Sequence, residues 1–292
     1  VNESLEYPCF WFITLLMRKP IKVKENSPKL WSIPSLLPTD SKYTRGAVAV
    51  LGGEEMTGAS RLAALSAQRA GAGLVTIAAT KASWPLYAAS MMSVIARPLD
   101  SKGWQALVND ARLRVVLIGP GAGVNARTKA ALRVAATLGK PLVLDADALT
   151  LIANDGLLRK ALMKPLKILT PHAGEYVRLA KALKLSPTLE KSALAMALAQ
   201  QLNAVVVLKG SDTIVCDGAR LSVTHPPAWL ATAGTGDVLA GVIAACVAQG
   251  MPLFDAANAG VWLHAEAARA HGRGMIAEDI IISIPKVLQK LH

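Results

Sequence analysis

Short apolar runs, each ended by glycine or a polar residue, recur along most of this chain and narrow its possible folds more than any other feature. Ala47-Val48-Ala49-Val50-Leu51 stops at Gly52-Gly53, and Leu74 to Ala79 follows a helical stretch over about Gly58 to Ala70. Arg114 to Ile118 stops at Gly119-Pro120-Gly121-Ala122-Gly123, and Pro141 to Leu144 stops at Asp145-Ala146-Asp147. Lys167 to Thr170 stops at Pro171-His172-Ala173-Gly174-Glu175, and Ala204 to Leu208 stops at Lys209-Gly210-Ser211. Runs of this length without polar alternation suit strands buried on both faces, and helical stretches between them predict strand-helix-strand units. The fold class is therefore α/β, a single domain with a central, mostly parallel sheet flanked by helices. Ligands in such sheets bind beyond the carboxyl ends of the strands, so these polar strand ends outline one site from separate segments. Thr213 to Cys216 and Arg220 to Thr224, turning at Asp217-Gly218, predict a hairpin.

One further segment carries chemistry. Ala231-Thr232-Ala233-Gly234-Thr235-Gly236-Asp237 runs into the apolar stretch Val238 to Ala248, which reads as a loop feeding the N-terminus of a buried helix. Free backbone N–H groups and the positive end of the helix dipole make an anion site there, and the glycines let a phosphate approach closely. Asp237 would repel that anion unless it has a task. It either caps the helix or accepts the proton of a hydroxyl attacking a phosphoryl group.

With 292 residues, 52% of them hydrophobic, the chain can bury a large core. A net charge of +12 raises the question of nucleic acid, but the basic residues are scattered, aromatics are 4%, and no nucleic-acid-reading signature is present. A diffusely positive surface favours encounter with small polyanions such as nucleotides. Three scattered cysteines, Cys9, Cys216 and Cys246, suit a reducing, cytoplasmic setting. Residues 1–45 read as an irregular N-terminal extension, proline-rich over 20 to 45, and the folded domain as residues 46–292. The apolar segment Pro8 to Met17 is too short to cross a bilayer and lacks the charge order of a signal peptide, so we expect no membrane partner. Its apolar residues from Phe10 to Met17 suit a contact surface, and a homo-oligomer is expected.

Neither a dinucleotide fingerprint nor a G-x-x-x-x-G-K-[ST] phosphate loop occurs. No nucleophile elbow supports a hydrolase triad. His172 and Glu175 share a helix face, either as metal ligands together with His264 and His271 or as the wall of a polar pocket. Asp145 and Asp147 are placed to help hold Mg²⁺ with waters and phosphate oxygens, or to cap the helix that follows. Lys209 either pairs with a phosphate or is a strand-end surface lysine.

Together these segments resemble the NAD(P)H-hydrate dehydratase family, which has the ribokinase-like fold. The resemblance covers about Gly46 to Leu291 and rests on motifs in the family's order. They include Val50-Leu51-Gly52-Gly53, Thr57-Gly58-Ala59, Arg69 to Val75, Gly119-Pro120-Gly121, Leu144 to Leu149, Leu169 to Glu175, Leu208-Lys209-Gly210, Ala231 to Gly241 and Ala277 to Ile280. It implies repair of hydrated NADH and NADPH: ADP or ATP phosphorylates the ring hydroxyl, and phosphate then leaves. Asp237 would be the base, and Gly234, Thr235 and Gly236 the phosphoryl cradle. Ala59, Gly123, His172 and Asp237 match hydrate-binding positions. Lys209, Gly210, Ser211, Asp212, Thr213 and Gly236 match adenine-nucleotide positions. Mg²⁺ would be held by Asp145 and Glu175 through water or phosphate. The sequence departs from the family at Met56, at Ser41-Lys42-Tyr43 and over His225 to Leu230, which bears on substrate affinity. The epimerase domain fused to some relatives does not fit before Gly46, so dehydratase activity alone is expected. Two other functions stay open: a vitamin-precursor kinase of the same fold, favoured less because His172 stands where such kinases usually place Asn, and a nucleotide-binding module without turnover.

Overall fold

The computed structural model describes residues 23–186 and 188–291. Ten strands form one sheet: β1 (Val23–Glu25), β2 (Ala47–Leu51), β3 (Leu74–Ala79), β4 (Ile95–Pro98), β5 (Leu113–Ile118), β6 (Leu142–Leu144), β7 (Lys167–Leu169), β8 (Val205–Leu208), β9 (Thr213–Cys216) and β10 (Leu221–Thr224). Their spatial order is β1-β10-β9-β8-β7-β6-β5-β2-β3-β4. All neighbours are parallel except β8 with β9 and β9 with β10, the expected hairpin.

The helices are α1 (Thr57–Arg69), α2 (Trp84–Ser90), α3 (Ser101–Asn109), α4 (Ala126–Ala136), α5 (Ala146–Asn154), α6 (Gly156–Ala161), α7 (Ala173–Ala182), α8 (Lys191–Leu202), α9 (Thr235–Ala248), α10 (Leu253–His271) and α11 (Ala277–Leu288). Alternation within the strands divides them into two layers. Val48 and Val50 of β2 pack with residues of α1, α2, α9, α10 and α11, while Ala47, Ala49 and Leu51 pack with residues of α3 to α8. Each buried valine or leucine among them stabilises the fold by about 1.5–3 kcal/mol before chain entropy is counted.

The helix after β2 lies on one face and the helix after β5 on the other, although β2 and β5 are neighbours. The sheet's topological switch point therefore falls between the two glycine-ended strands, and a crevice opens beyond their carboxyl ends.

The irregular reading of residues 1–45 needs correction for the part the structure describes. Val23–Glu25 pairs in parallel with Leu221–Val223 at the sheet edge, and Trp31 is buried, its ring edge-on to Trp262 at 5.6 Å. Asn26 is the fastener: its amide donates to Thr224 Oγ1 at 3.0 Å and to the Asn258 carbonyl at 2.9 Å, and it accepts from the Trp31 indole at 3.0 Å. The apolar segment Phe10 to Met17 lies outside the described residues.

Candidate functional site

Gly234 precedes α9 with φ +84, a left-handed conformation that only glycine adopts without cost, and the chain turns there into the helix. Thr235, Gly236 and Asp237 then form its first turn, where backbone N–H groups have no intrahelical acceptor. The Thr235 hydroxyl donates to the carbonyls of Leu230 at 2.9 Å and Thr232 at 3.0 Å, so it ties down the preceding loop. A Cβ on Gly236 would lie 3.3 Å from Lys209 Nζ, which places the ammonium over this turn. Cation, helix N-terminus and bare glycine converge as an anion requires.

Beside the cradle lies a cluster of carboxylates. Asp145, at the end of β6, is buried and accepts from Lys209 Nζ at 2.9 Å, so Lys209 is no free surface lysine. Burial and then the nearby Asp145 charge push the Asp237 carboxyl up to about 7, with Asp147 and Glu175 adding to the rise and Lys209 opposing it. Burial, followed by Asp145, likewise raises Glu175. Ala146, between Asp145 and Asp147, is held at φ +45, a left-handed conformation that strains a non-glycine residue where these acids are positioned.

His172 and Glu175 form a capping box on α7: the His172 N–H donates to Glu175 Oε2 at 2.8 Å, and His172 Nδ1 accepts from the Gly174 N–H at 3.0 Å. His172 Nε2 lies 3.4 Å from Glu175 Oε1, and the side chain is otherwise open to the cleft. Among the described residues, no group of three or more His, Cys, Asp or Glu is arranged to hold a metal ion. With one Asp145 oxygen on Lys209 and one Glu175 oxygen on a backbone N–H, the pair suits a cation held mainly by phosphate and water, and not a protein cage.

The switch-point loops are interlocked. A Cβ on Gly53 would sit 1.7 Å from the Gly121 carbonyl oxygen, and one on Gly121 would be 3.2 Å from the Ala59 Cβ, so Ala59 abuts the Gly119–Gly123 loop. Ser60 Oγ donates to the Pro120 carbonyl at 2.6 Å. Gly123, at φ +86, donates its N–H to Asp147 Oδ2 at 2.8 Å, a bond that links this loop to the carboxylate cluster.

A cavity of about 720 Å³ opens beside the α9 cradle. His172, Lys209, Gly210, Ser211, Thr213, Thr235 and Gly236 line it, with Leu239, Val261 and His264 from α9 and α10. Among the expected residues, Gly234 and Asp212 do not line it, and the Asp212 carboxylate lies 2.7 Å from His225 Nδ1. Ala59, Gly123 and Asp237 do not line this cavity; they belong to the switch-point loops and the carboxylate cluster. His264 enters from the sequence only as a metal-ligand candidate with His172, Glu175 and His271, and the Asp147–Gly123 bond is not among the expected features of the site. A smaller cavity of about 320 Å³ beside Arg127, between α3 and α4, is lined by none of the candidate residues.

The open sheet, its switch point and the glycine-preceded helix with an acid in its first turn define a ribokinase-like α/β protein. A family profile described as NAD(P)H-hydrate dehydratase matches residues 48–286, and the chain belongs to that family. It is 32% identical, over 88% of this chain and 93% of its partner, to the ADP-dependent (S)-NAD(P)H-hydrate dehydratase of Xanthomonas campestris pv. campestris. It is 36% identical to the bifunctional NAD(P)H-hydrate repair enzyme Nnr of Mycobacterium tuberculosis, over 78% of this chain and 46% of that one. The chain thus spans about half the length of the first curated relatives it matches. The crystal structure of the ADP/ATP-dependent NAD(P)H-hydrate dehydratase of Bacillus subtilis, co-crystallized with ATP/Mg²⁺, superposes with a TM-score of 0.76 at 25% identity, over 94% of this chain and 100% of that one.

Proposed function

We propose that this chain removes water from hydrated NADH and NADPH at the expense of ADP or ATP, with Asp237 as the general base. The observation that carries the reading is the position of Asp237: a half-buried carboxyl raised to about 7, in the first turn of α9, beside Lys209 and the unpaired N–H groups of that turn. A capping aspartate has no use for a raised pKa, whereas a base that must take a proton near neutral pH does.

The nucleotide occupies the cavity along Lys209 to Thr213, with its terminal phosphate against Thr235, Gly236 and Lys209. The hydrated ring lies between Ala59, Gly123, His172 and Asp237. Asp237 accepts the ring hydroxyl proton as the oxygen attacks the terminal phosphorus, and the bond from that phosphorus to the bridging oxygen of the nucleotide breaks, releasing AMP from ADP or ADP from ATP. The helix N-terminus and Lys209 stabilise charge on the transferred group. In the second step the carbon–oxygen bond breaks, phosphate leaves with the bonding electrons, and loss of a proton from the adjacent carbon restores the ring double bond. Mg²⁺, when bound, neutralises phosphate charge; Asp145, with Glu175, would hold it through water.

Incubation with hydrated NADH, Mg²⁺ and ADP or ATP should restore the reduced-nicotinamide absorbance. Nucleotide binding without that recovery would leave a binding module, and a stable phosphorylated product from an unrelated alcohol would make the chain a kinase.

The base requirement gives a pH prediction. Asp237 acts only when ionised, so kcat/KM should rise with pH through a midpoint near 7. Lys209 lowers that value, so Lys209→Met should move the midpoint upward. A rise centred near 4, the ordinary carboxylate range, would contradict the assignment.

We also infer a homo-oligomer in a reducing cytoplasm, an inference supported by the apolar N-terminal segment and by the buried free thiols of Cys216 and Cys246. No helix among the described residues is long and apolar enough to cross a membrane. Light scattering should find a mass at least twice that of the chain, and a monomer would end the oligomer inference.

A further inference from the structure

Asp145-Ala146-Asp147 carries two acids into the start of α5, and the carboxylates of both are bonded outside that helix. Asp145 stands at the N-cap position without a side-chain bond to the helix, its carboxylate held by Lys209 Nζ at 2.9 Å. Asp147 Oδ2 accepts from the Gly123 N–H at 2.8 Å, in the loop between β5 and α4. An acid at the start of a helix ordinarily bonds that helix's own free N–H groups. Here the residue between the two acids is held at φ +45, a conformation that costs free energy wherever a Cβ is present. The two bonds made outside α5 are what that cost is set against.

The loop that receives Asp147 needs fastening. Gly119, Gly121 and Gly123 have φ of +136, +61 and +86, and glycine has the widest backbone freedom of any residue. A Cβ on Gly119 would lie 1.8 Å from the Asp145 carbonyl oxygen, so the loop packs on the Asp145 backbone where it leaves β5. Ser60 Oγ then donates to the Pro120 carbonyl at 2.6 Å, and Thr128 Oγ1 to the Ala122 carbonyl at 2.9 Å. These contacts hold the loop as far as Ala122, and Asp147 holds Gly123. A carboxylate makes a charge-assisted bond, about twice as strong as a neutral one, and the half-buried position of Asp147 limits competition from water.

We propose that Asp147 is a positioning residue for the hydrate pocket, its bond to the Gly123 N–H fixing the end of the Gly119–Gly123 loop against which the ring lies. This rests on the reading that the hydrated ring lies beside Ala59 and Gly123. Asp145 is tied to the Lys209 ammonium on the nucleotide side and Asp147 to the loop on the hydrate side, so one short strained segment sets both partners of the transfer relative to each other. Asp147 acts through its acceptor oxygen, and its charge is secondary.

Asp147→Ala and Asp147→Asn separate the bond from the charge, because both lose the charge while Asn keeps an oxygen able to accept the Gly123 N–H. In the full chain, Asp147→Ala should raise KM for hydrated NADH about tenfold, change kcat by less than about threefold and leave ADP affinity, measured by calorimetry, at its native value. Asp147→Asn should recover most of the loss in KM. An unchanged KM in Asp147→Ala would overturn the proposal. So would an asparagine variant as impaired as the alanine one, which would assign Asp147 a charge role, or a loss of ADP affinity matching the rise in KM, which would mean general damage to the fold. Asp147→Ser, whose hydroxyl is too short to reach the loop, gives the same comparison if the alanine variant fails to fold. A native protein that binds ADP but does not turn over hydrated NADH would overturn the proposed reaction itself, a result read before any variant is made.

Discussion

Asp237→Asn is expected to bind ADP with native affinity and to lose turnover by at least about a hundredfold, the usual scale for removal of a general base. The amide nearly matches the carboxylate in shape and leaves the first-turn N–H groups of α9 in place, so the phosphate cradle survives. Only the proton acceptor is lost. Calorimetry for ADP and single-turnover recovery of the reduced nicotinamide measure the two halves independently. Turnover close to native would return Asp237 to helix capping and undo the proposed mechanism at its central step.

The largest effect on stability is expected at Gly241, where α9 crosses α1. A Cβ there would lie 2.0 Å from the Ala63 carbonyl oxygen and 2.1 Å from Ser66 Oγ, and Ser66 is itself bonded to that carbonyl. Two effects oppose each other in Gly241→Ala. Alanine gains about 1 kcal/mol of helix propensity over glycine. Relieving a clash with backbone costs about 3 kcal/mol in a well-packed core, because the two helices must move apart by more than an ångström. The clash wins by about 2 kcal/mol, which for a domain of this size lowers the unfolding midpoint by about 5 °C. The same shift would separate Ala59 on α1 from Asp237 on α9, so activity should fall along with stability. An unchanged midpoint in a thermal melt would show that the crossing is looser than described.

Much of the architecture can be read from the residues because of how parallel sheets are buried. A strand covered on both faces needs an unbroken apolar run, and a site at its end needs small or polar residues immediately after, so β2, β5, β6, β7 and β8 announce both themselves and the cleft. The segment between β3 and β5 gives no such signal. In β4 at the sheet edge, Ile95, Arg97 and Pro98 are exposed, and α2 is only seven residues long. At the opposite edge, β1 is exposed along its whole length and sits among prolines, and it is held by Asn26, two of whose three partners, Thr224 and Asn258, come from the far end of the chain. Lys209 was ambiguous for a related reason. A lysine after a strand is surface or site depending on whether a carboxylate faces it, and Asp145 stands on a different strand. The sequence offers His264 only as a metal-ligand candidate beside His172 and Glu175; its burial follows from α10 packing against α9 and is not legible in the residues alone.

The strand at that far edge also governs when the chain can finish folding. Asn26 and Thr224 are separated by 198 positions, so β1 emerges from the ribosome long before β10, the strand it pairs with among the described residues, has been made. Loop closure over such a span is slow, and contacts of this kind are formed after the local strand-helix units have assembled. During synthesis the segment around Val23 to Trp31 therefore stays unpaired while β2 to β8 grow beside it. Its docking becomes a post-translational event that seals one margin of a sheet already built, and a nascent chain stalled before Leu221 would expose that margin to chaperones or to neighbouring chains.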